Sequence, residues 1–312
     1  MTPSTSQMKH AIITAWEEPP KFVDTAAPQL DPVDDKVLIR VEAAAAHQLV
    51  RLRASGKHYS VKTLPHVPGV DGVGTTPDGQ NVYFFTFAPA PGSFAEFVRV
   101  PKGNVTPLPD GLDKIQVAAL VNPVMSSWMA LRRRTFCRPP NFTVLILGAT
   151  STSGRLAISV ARALGAGRVI GCARNEESLA RLGLDQAIRL REPVTETDFS
   201  DLQDVDVVLD YVYGQAAAHL LSTIKCTRRV QFIQIGSLSG PTIDLPAHTI
   251  RSKNISLIGS GIGSWADEEL REELPDLLQA MTKFETVTLN VVPLSEIERH
   301  WSEGKDRTVF TM

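Results

Sequence analysis

A glycine-containing turn between an apolar run and an amphipathic segment is the first feature with chemical potential. Residues 144–166 read VLILGATSTSGRLAISVARALGA, and Gly148 and Gly154 bracket the turn. Such glycines let the backbone approach a pyrophosphate, and the following helix N-terminus offers free N–H groups and a positive dipole. Three of the hydroxyl side chains between the glycines, those of Ser151, Thr152 and Ser153, directly precede Gly154. The turn predicts a phosphate site, although these hydroxyls are also ordinary helix N-caps.

Arg174 ends the next predicted strand, 20 residues beyond Gly154. An acid at this distance bonds the ribose 2′-hydroxyl of NAD, whereas an arginine accommodates the 2′-phosphate of NADP. Since no acid is present there, and a guanidinium bonds phosphate bidentately, the sequence favours NADPH. Arg174, the adjacent Asn175 and, after a third strand, Arg191 are its predicted contacts. For both arginines the alternative is an ordinary solvated surface residue that does not contact the cofactor.

These residues need a parallel sheet to bring them to one edge. Apolar runs alternate with helical segments, of which 154–164 and 176–182 are the clearest, and near-continuous apolar strands are typical of a sheet covered on both faces. The predicted strands are 144–147, 168–173, 187–190, 205–210, 230–235 and 255–258. This part is expected to be a Rossmann-type, doubly wound α/β fold.

The remainder of the chain has a different texture. Up to about residue 120, short apolar runs separated by proline and glycine predict an irregular β-rich domain. After residue 265 we predict a helix broken at Pro275, a strand, a second helix and a closing strand. The expected domains are therefore a catalytic domain made of 1–120 and 265–312 and a dinucleotide-binding domain at 121–264.

Composition narrows the class of protein. The chain has 312 residues, 43% of them hydrophobic, and a net charge of −2, which disfavours a nucleic-acid binder driven by bulk charge. Its three cysteines form no C-x-x-C pair. No apolar stretch of membrane-spanning length and no secretory signal are visible, so we expect a cytoplasmic protein without a membrane partner.

Several segments together resemble the medium-chain dehydrogenase/reductase superfamily, specifically its zinc-free quinone oxidoreductase and enoyl reductase branch. The segments are MKHAIITAWEEPP, VLIRVEAAAAH, LPHVPGVDGVG, GSFAEFVRVP, VLILGATSTSG, DVDVVLDYVYG, RRVQFIQIGSLSG and VVPLSEIERHWSEGKDRTVF. Each is weak alone, but their order and spacing are specific. The resemblance implies a GroES-like catalytic domain beside the Rossmann-type domain.

The zinc alcohol dehydrogenases of this superfamily hold a catalytic metal through residues that can be located here. By alignment, those places carry His47, Val70 with Asp71, and Asn122. A lone histidine beside an aspartate lacks the three or four ligands that zinc needs. We therefore expect no metal, which disfavours simple alcohol oxidation.

The resemblance also implies roles for further residues. Tyr59 is the nearest match to a tyrosine that donates a proton or binds a carbonyl in enoyl reductases, with His58 as its rival. His47 stands where relatives place an asparagine near the nicotinamide ribose; a core histidine is the alternative. The remaining predicted cofactor contacts are Ser126, Gly236 and Gly259. For the glycines a simple turn is the alternative.

The expected activity is hydride transfer from NADPH to a quinone or to the C=C bond of an α,β-unsaturated carbonyl compound, without zinc. The alternative is a structural or regulatory member that binds NADPH with little turnover. Relatives of this branch commonly form homodimers by joining sheet edges, and the apolar run 254–261 resembles such an edge.

Overall fold

The computed structural model describes residues 7–29, 35–58, 60, 61, 63–87, 91–302 and 307–312. The chain divides into two compact units, Met1–Asn122 with Leu274–Met312 and Pro123–Glu273. The second unit carries a parallel six-stranded sheet, and the first carries a two-stranded and a seven-stranded sheet. The predicted fold class, a doubly wound α/β sheet plus a β-rich part, is confirmed.

The strands are β1 (Gln7–Ile12), β2 (Lys21–Ala26), β3 (Lys36–Ala45), β4 (Asp71–Thr75), β5 (Asn81–Phe85), β6 (Phe97–Pro101), β7 (Val105–Pro107), β8 (Thr143–Leu147), β9 (Arg168–Ala173), β10 (Gln186–Arg189), β11 (Val207–Asp210), β12 (Val230–Gln234), β13 (Ile255–Gly259), β14 (Asn290–Pro293) and β15 (Thr308–Thr311). The helices are α1 (Gln48–Ala54), α2 (Lys114–Arg133), α3 (Thr152–Ala163), α4 (Glu176–Ala180), α5 (Gly214–Thr223), α6 (Ala247–Arg251), α7 (Asp267–Met281) and α8 (Ile297–His300). Single 3₁₀ turns lie at Lys102–Asn104, Val194–Glu196 and Leu294–Glu296.

The parallel sheet of the second unit has the strand order β10-β9-β8-β11-β12-β13. All its pairings are parallel, and every residue of β8 and of β11 is buried. These strands are continuous apolar runs because both faces of the sheet are covered. Strands are added in one direction from β8 to β10 and in the opposite direction from β11 to β13, and this switch between β8 and β11 creates the crevice where ligands bind in open α/β sheets. The turn after β8 and the turn after β11 flank that crevice.

The first unit is built around β3, which pairs with β4, β6 and β15. Buried and half-buried side chains alternate along β6, whereas β4 and β5 each contain four consecutive buried residues, and Phe84, Phe94 and Phe310 are fully buried. The C-terminal strand β15 aligns Phe310 with Ala44. Residues at the two ends of this chain therefore share one core.

The prediction that Pro275 breaks its helix is wrong, since α7 runs without interruption from Asp267 to Met281. A proline inside a helix removes one backbone hydrogen bond and costs about 3 kcal/mol. Four buried leucines offset that cost, at about 2 kcal/mol or more each. They are Leu270, Leu274, Leu277 and Leu278.

Candidate active site

The turn after β8 is folded tightly on its two glycines. Gly148 has a φ of +93°, in the left-handed region that favours glycine, and its N–H donates to the carbonyl of Cys172 at 2.8 Å. A Cβ on Gly154 would lie only 2.2 Å from the carbonyl oxygen of Gly148. Side chains are thus excluded from both positions, which leaves an open backbone cradle of the kind a pyrophosphate fits.

The hydroxyl side chains of the turn divide between two roles. Ser151 is the N-cap of α3: its hydroxyl donates to the Gly148 carbonyl at 2.8 Å and accepts from the Gly154 N–H at 3.1 Å. Thr152, which is exposed, and Ser153 form the first turn of α3, which contains no acidic residue. The positive end of this 12-residue helix therefore faces the cradle without an internal counter-charge.

The residues predicted to read the 2′-phosphate follow β9 and β10. Arg174 is exposed, and no ion pair or hydrogen bond engages its side chain within the described residues. Asn175 is the N-cap of α4, where its side-chain oxygen accepts from the Ser178 N–H at 2.8 Å. Arg191 is also exposed, and its backbone N–H donates to the Thr197 hydroxyl. Among the described residues, neither the Arg174 nor the Arg191 guanidinium has a hydrogen-bond or ion-pair partner, whereas the Asn175 side chain is used as a helix cap.

Asp210 ends β11 next to the crevice, and its carboxylate is fully buried. Its Oδ1 accepts from the N–H groups of Val212 and Tyr213 at 2.8 and 2.9 Å, which holds Tyr213 at a φ of +54°. Its Oδ2 has no hydrogen-bond partner within the described residues. Burial raises the pKa of Asp210 to about 6, against the lowering effect of the two N–H donors.

Ser126 is joined to the same edge of the sheet through Tyr211. The Ser126 hydroxyl donates to the Pro123 carbonyl at 2.6 Å and lies 3.1 Å from the Tyr211 hydroxyl. Tyr211 is buried, and burial raises its pKa to about 12 despite the bonds from Ser126 and Ser127. The Tyr211 backbone N–H donates to Leu147, immediately before the glycine turn. The structure therefore links Ser126 to the strand end that precedes the glycine turn through Tyr211.

The two later glycines differ in their steric need. A Cβ on Gly236, just after β12, would lie 2.8 Å from the Tyr211 carbonyl oxygen, so a close backbone approach requires this glycine. Gly259 ends the edge strand β13 with open space around its Cα, and its carbonyl accepts from Arg134 Nε at 2.9 Å. No close backbone approach requires a glycine at residue 259.

In the first unit, His47 belongs to a group that we call the His47 cluster: hydrogen bonds join His47, Asp71 and Tyr83, and Arg307 acts on His47 and Asp71 through its charge. His47 Nε2 lies 3.0 Å from Asp71 Oδ1, and the Tyr83 hydroxyl donates to Asp71 Oδ2 at 3.0 Å. The side chains of His47 and Asp71 are 2% and 1% exposed. Both carboxylate oxygens of Asp71 therefore take part in hydrogen bonds to other side chains of the protein.

Arg307 brings a positive charge to the His47 cluster from the C-terminal end of the chain. Its Nη1 donates to the Ala119 carbonyl at 2.7 Å. Burial lowers the pKa of Arg307 to about 10, partly offset by the charge of Asp71. Burial also lowers the pKa of His47; Asp71 opposes this effect, and Arg307 and Arg53 add to it.

Tyr59, predicted as a proton donor, lies outside the described residues. Its rival His58 is described, and its Nδ1 lies 2.8 Å from the Ser60 hydroxyl.

In the part of the chain that the structure describes, no three or more His, Cys, Asp or Glu side chains are grouped to hold a metal ion. The same residues contain no helix long and apolar enough to cross a bilayer.

Comparison with known proteins shows the family to which the chain belongs. Residues 154–283 match the family model described as zinc-binding dehydrogenase. The chain is 35% identical to a protein named "Probable NADPH-dependent quinone reductase" from Emericella nidulans, over 95% of this chain and 97% of that protein. This chain belongs to the medium-chain dehydrogenase/reductase superfamily. Within that superfamily it falls in the quinone oxidoreductase branch, so the predicted resemblance is confirmed.

Other members of the quinone oxidoreductase branch agree. The quinone oxidoreductase of Rattus norvegicus is 28% identical over 80% of this chain and 78% of its own length. The solved quinone oxidoreductase of Thermus thermophilus, also determined as a complex with NADPH, is 26% identical and superimposes with a TM-score of 0.77, covering 98% of this chain and 100% of that one. Both parts of the fold are thus found in solved members of the branch.

Sequence reasoning missed most of the buried partners. Asp71 was noticed only as the neighbour of a place where relatives carry a zinc ligand, and Tyr83 and Arg307 were not singled out. Tyr83 reads as an ordinary inward residue of β5, and Arg307 lies 260 residues from His47 in the sequence. For Asp210 a signal existed, because an acid that ends a continuous apolar strand is out of place unless the turn uses it.

Proposed function

We propose that this protein is an NADPH-dependent reductase that transfers hydride to a quinone or to the C=C bond of an α,β-unsaturated carbonyl compound. The observation that carries the proposal is the backbone cradle of Gly148 and Gly154, with a free arginine, Arg174, where an NAD site would place an acid. The name of the Emericella nidulans relative, which is 35% identical over nearly the whole length, supports both the cofactor and the quinone substrate.

The proposed cofactor site lies at the crevice of the second unit. The N–H groups of Thr152 and Ser153 at the start of α3 bind the pyrophosphate, Gly154 lets the phosphate approach the backbone closely, and Arg174 binds the 2′-phosphate. Bound NADPH supplies the hydride for the reaction. Ser151 acts here mainly by shaping the turn, because its hydroxyl is already paired with Gly148.

The remaining predicted contacts complete this site. Arg191 and Asn175 add polar groups on the side of the 2′-phosphate. Ser126, fixed by Tyr211, and the backbone at Gly236 face the nicotinamide half, and Gly259 extends that side. The two compact units correspond in this proposal to the catalytic and dinucleotide-binding domains expected at 1–120 with 265–312 and at 121–264.

On the substrate side we retain Tyr59 and His47 as the predicted catalytic residues. A reduced quinone or enone needs one proton in addition to the hydride, and a tyrosine hydroxyl suits that step. If Tyr59 donates it, Tyr59→Phe lowers kcat with little change in the affinity for NADPH. Unchanged turnover of all quinones and enones by this variant would remove Tyr59 from the mechanism.

The decisive experiment is NADPH oxidation against a panel of quinones, enones and enoyl thioesters, with and without a chelator. We expect turnover of at least one quinone, a strong preference for NADPH over NADH, and no loss on chelation. NADPH binding without consumption across the panel would favour the alternative, a structural or regulatory member. The names of the relatives favour the enzyme.

The expected partners are a small-molecule substrate and a second copy of the chain. The balanced charge argues against a nucleic-acid partner, and the proposed location is the cytoplasm. A chelator-sensitive activity would overturn the zinc-free prediction, which rests on the residues His47, Val70 and Asn122 at the expected ligand places.

A further inference from the structure

His47 holds a nitrogen atom whose partner the fold does not supply. His47 is only 3% exposed, and its Nδ1 is buried without a hydrogen-bond partner within the described residues. A buried polar atom without a partner is costly, and such atoms concentrate where a ligand completes the bonding. The protonation of the ring decides whether a ligand group must donate a hydrogen bond to this nitrogen or accept one from it.

The contact of Asp71 with the other ring nitrogen, Nε2, fixes the protonation of His47. Asp71 Oδ1 lies 3.0 Å from Nε2, and a carboxylate oxygen can only accept, so the proton of the neutral ring sits on Nε2. Tyr83 donates to Asp71 Oδ2, and Ser93 donates to the Asp71 backbone carbonyl at 2.6 Å. The acceptor facing His47 is therefore held on three sides. With Nε2 carrying the proton, Nδ1 presents a lone pair.

The charges around the ring favour its neutral form. Asp71 and the buried Arg307 balance each other, so protonating His47 would add an uncompensated positive charge in the interior. The nearby Arg53 disfavours that charge further. The cationic groups that act on the ring thus come from α1 and from the C-terminal segment, and the one carboxylate comes from β4.

We propose that Asp71 and Tyr83 are positioning residues that hold His47 as the neutral Nε2–H tautomer, so that its Nδ1 accepts a hydrogen bond from a hydroxyl group of a bound ligand. This inference rests on the proposed reductase function for the identity of the ligands, and on the geometry of the His47 cluster for the rest. It assigns His47 a binding role and leaves proton donation to another group.

The proposal selects among the ligand groups. A quinone offers only carbonyl acceptors and cannot pair with a lone pair on Nδ1, whereas a hydroquinone carries O–H donors. The riboses of NADPH also carry O–H donors. Both sources offer the same chemistry, so the experiment must separate the cofactor from the substrate side.

The test is nitrogen NMR of protein labelled with ¹⁵N-histidine, with the signals of His47 identified by their loss in His47→Gln among the seven histidines. In the free protein we expect a protonated Nε2 and an unprotonated Nδ1 from pH 6 to 9. A proton on Nδ1 of the neutral ring, or an imidazolium at pH 7, would overturn the proposal. This measurement needs no turnover, so it is independent of the proposed function.

Ligands are then added to the wild-type protein one at a time. A shift of the Nδ1 signal with NADPH alone supports a ribose hydroxyl as donor, and a shift that requires 1,4-naphthohydroquinone supports the substrate side. If 1,4-naphthohydroquinone and NADPH, singly or together, leave the Nδ1 signal unmoved, the proposal is wrong. A protein that turns over no quinone yet shows the NADPH shift would refute the proposed function and retain the inference.

Variants supply a second readout. Tyr83→Phe leaves Asp71 Oδ2 without its donor, which strengthens the pull of Asp71 on the His47 proton and moves the NMR titration of His47 to higher pH. We expect the ligand that shifts Nδ1 to bind about threefold to tenfold more weakly to His47→Gln, the effect of one hydrogen bond. His219→Gln is the matched control, because His219 lies in the second unit and its ring bonds to the Thr197 carbonyl at 2.9 Å, away from the His47 cluster. Unchanged titration in Tyr83→Phe would remove Tyr83 from the positioning role.

Discussion

At the scale of single residues, the proposed preference for NADPH over NADH depends on Arg174. Its exposed guanidinium has no protein partner within the described residues, so replacing it costs the fold little. A charge-assisted bond to phosphate contributes about 1.5–3 kcal/mol. We expect Arg174→Ala to lower kcat/KM for NADPH by about tenfold to a hundredfold and to leave NADH unchanged.

The matched control is Arg181→Ala, since Arg181 is another exposed arginine, located at the end of α4. It should leave both cofactors unaffected in the same steady-state assay. An equal loss for NADPH and NADH in Arg174→Ala would show that Arg174 supports the fold rather than the 2′-phosphate.

Asp210 gives the second prediction at this scale. Its folded pKa of about 6 lies above the ordinary value of 3.8, so the folded state holds the proton more tightly than the unfolded state. The stability from this group is therefore full below pH 4 and is lost as the pH rises to about 6, by about 3 kcal/mol. Asp210→Asn should abolish that loss while keeping an oxygen for the N–H groups of Val212 and Tyr213.

Urea unfolding at pH 4, 5, 6 and 7 measures this difference. Asp244→Asn, at an exposed aspartate, is the control and should keep the wild-type profile. Parallel pH profiles for the wild type and Asp210→Asn would show that the Asp210 carboxylate is not destabilised by burial.

The sequence predicted some of these residues and not others for a physical reason. Gly148, Gly154 and Arg174 could be predicted as cofactor contacts because a glycine turn and the position 20 residues beyond it have fixed local spacing. Tyr83 and Arg307 were missed because their role arises from contacts over 12 to 260 residues of chain, and such pairings leave no local pattern. Ser151 was placed correctly only as one of two alternatives, since a hydroxyl at a helix start serves caps and phosphates alike.

At the scale of elements, the glycine turn between β8 and α3 is the part least tolerant of change. A Cβ at residue 154 would lie 2.2 Å from the Gly148 carbonyl oxygen and 2.8 Å from the Cα of Ala149, so the turn must open. We expect Gly154→Ala to lower stability by about 2 kcal/mol or more and to weaken NADPH binding at least tenfold. Fluorescence titration with NADPH and thermal unfolding measure the two effects.

Gly261→Ala serves as the control, because its Cβ would meet open space. If Gly154→Ala bound NADPH as tightly as this control, the cradle would not be the phosphate site.

The elements themselves were largely predictable where apolar periodicity is strong. The strand predicted at 168–173 coincides with β9, and five other strands of the parallel sheet fall within two residues of their predicted ends. The helix through Pro275 was mispredicted because local propensity was given more weight than the buried leucines on either side. Burial of that apolar stripe outweighs the missing hydrogen bond.

At the scale of the whole molecule, the open edge of the parallel sheet predicts how two copies associate. β13 is the last strand of the order, contains neither proline nor a charged side chain, and leaves Leu257 41% exposed. An unprotected edge of this kind pairs readily with a second chain. Pairing of β13 with its own copy would be two-fold symmetric and closed, as a stable dimer requires.

We therefore expect light scattering to give twice the chain mass of 34.0 kDa, and Leu257→Asp to shift the protein toward the monomer by raising the dimer dissociation constant at least tenfold. A carboxylate at residue 257 stays hydrated in the monomer and loses water when the edges pair, so the penalty falls on the dimer and not on the monomer fold. Leu238→Asp is the control, because Leu238 is 66% exposed and lies outside β13. A monomeric wild type, or a Leu257→Asp protein as dimeric as the control, would mean that the edge of the sheet is protected in some other way. In either case the cofactor crevice between β8 and β11, three strands from that edge, should keep its affinity for NADPH.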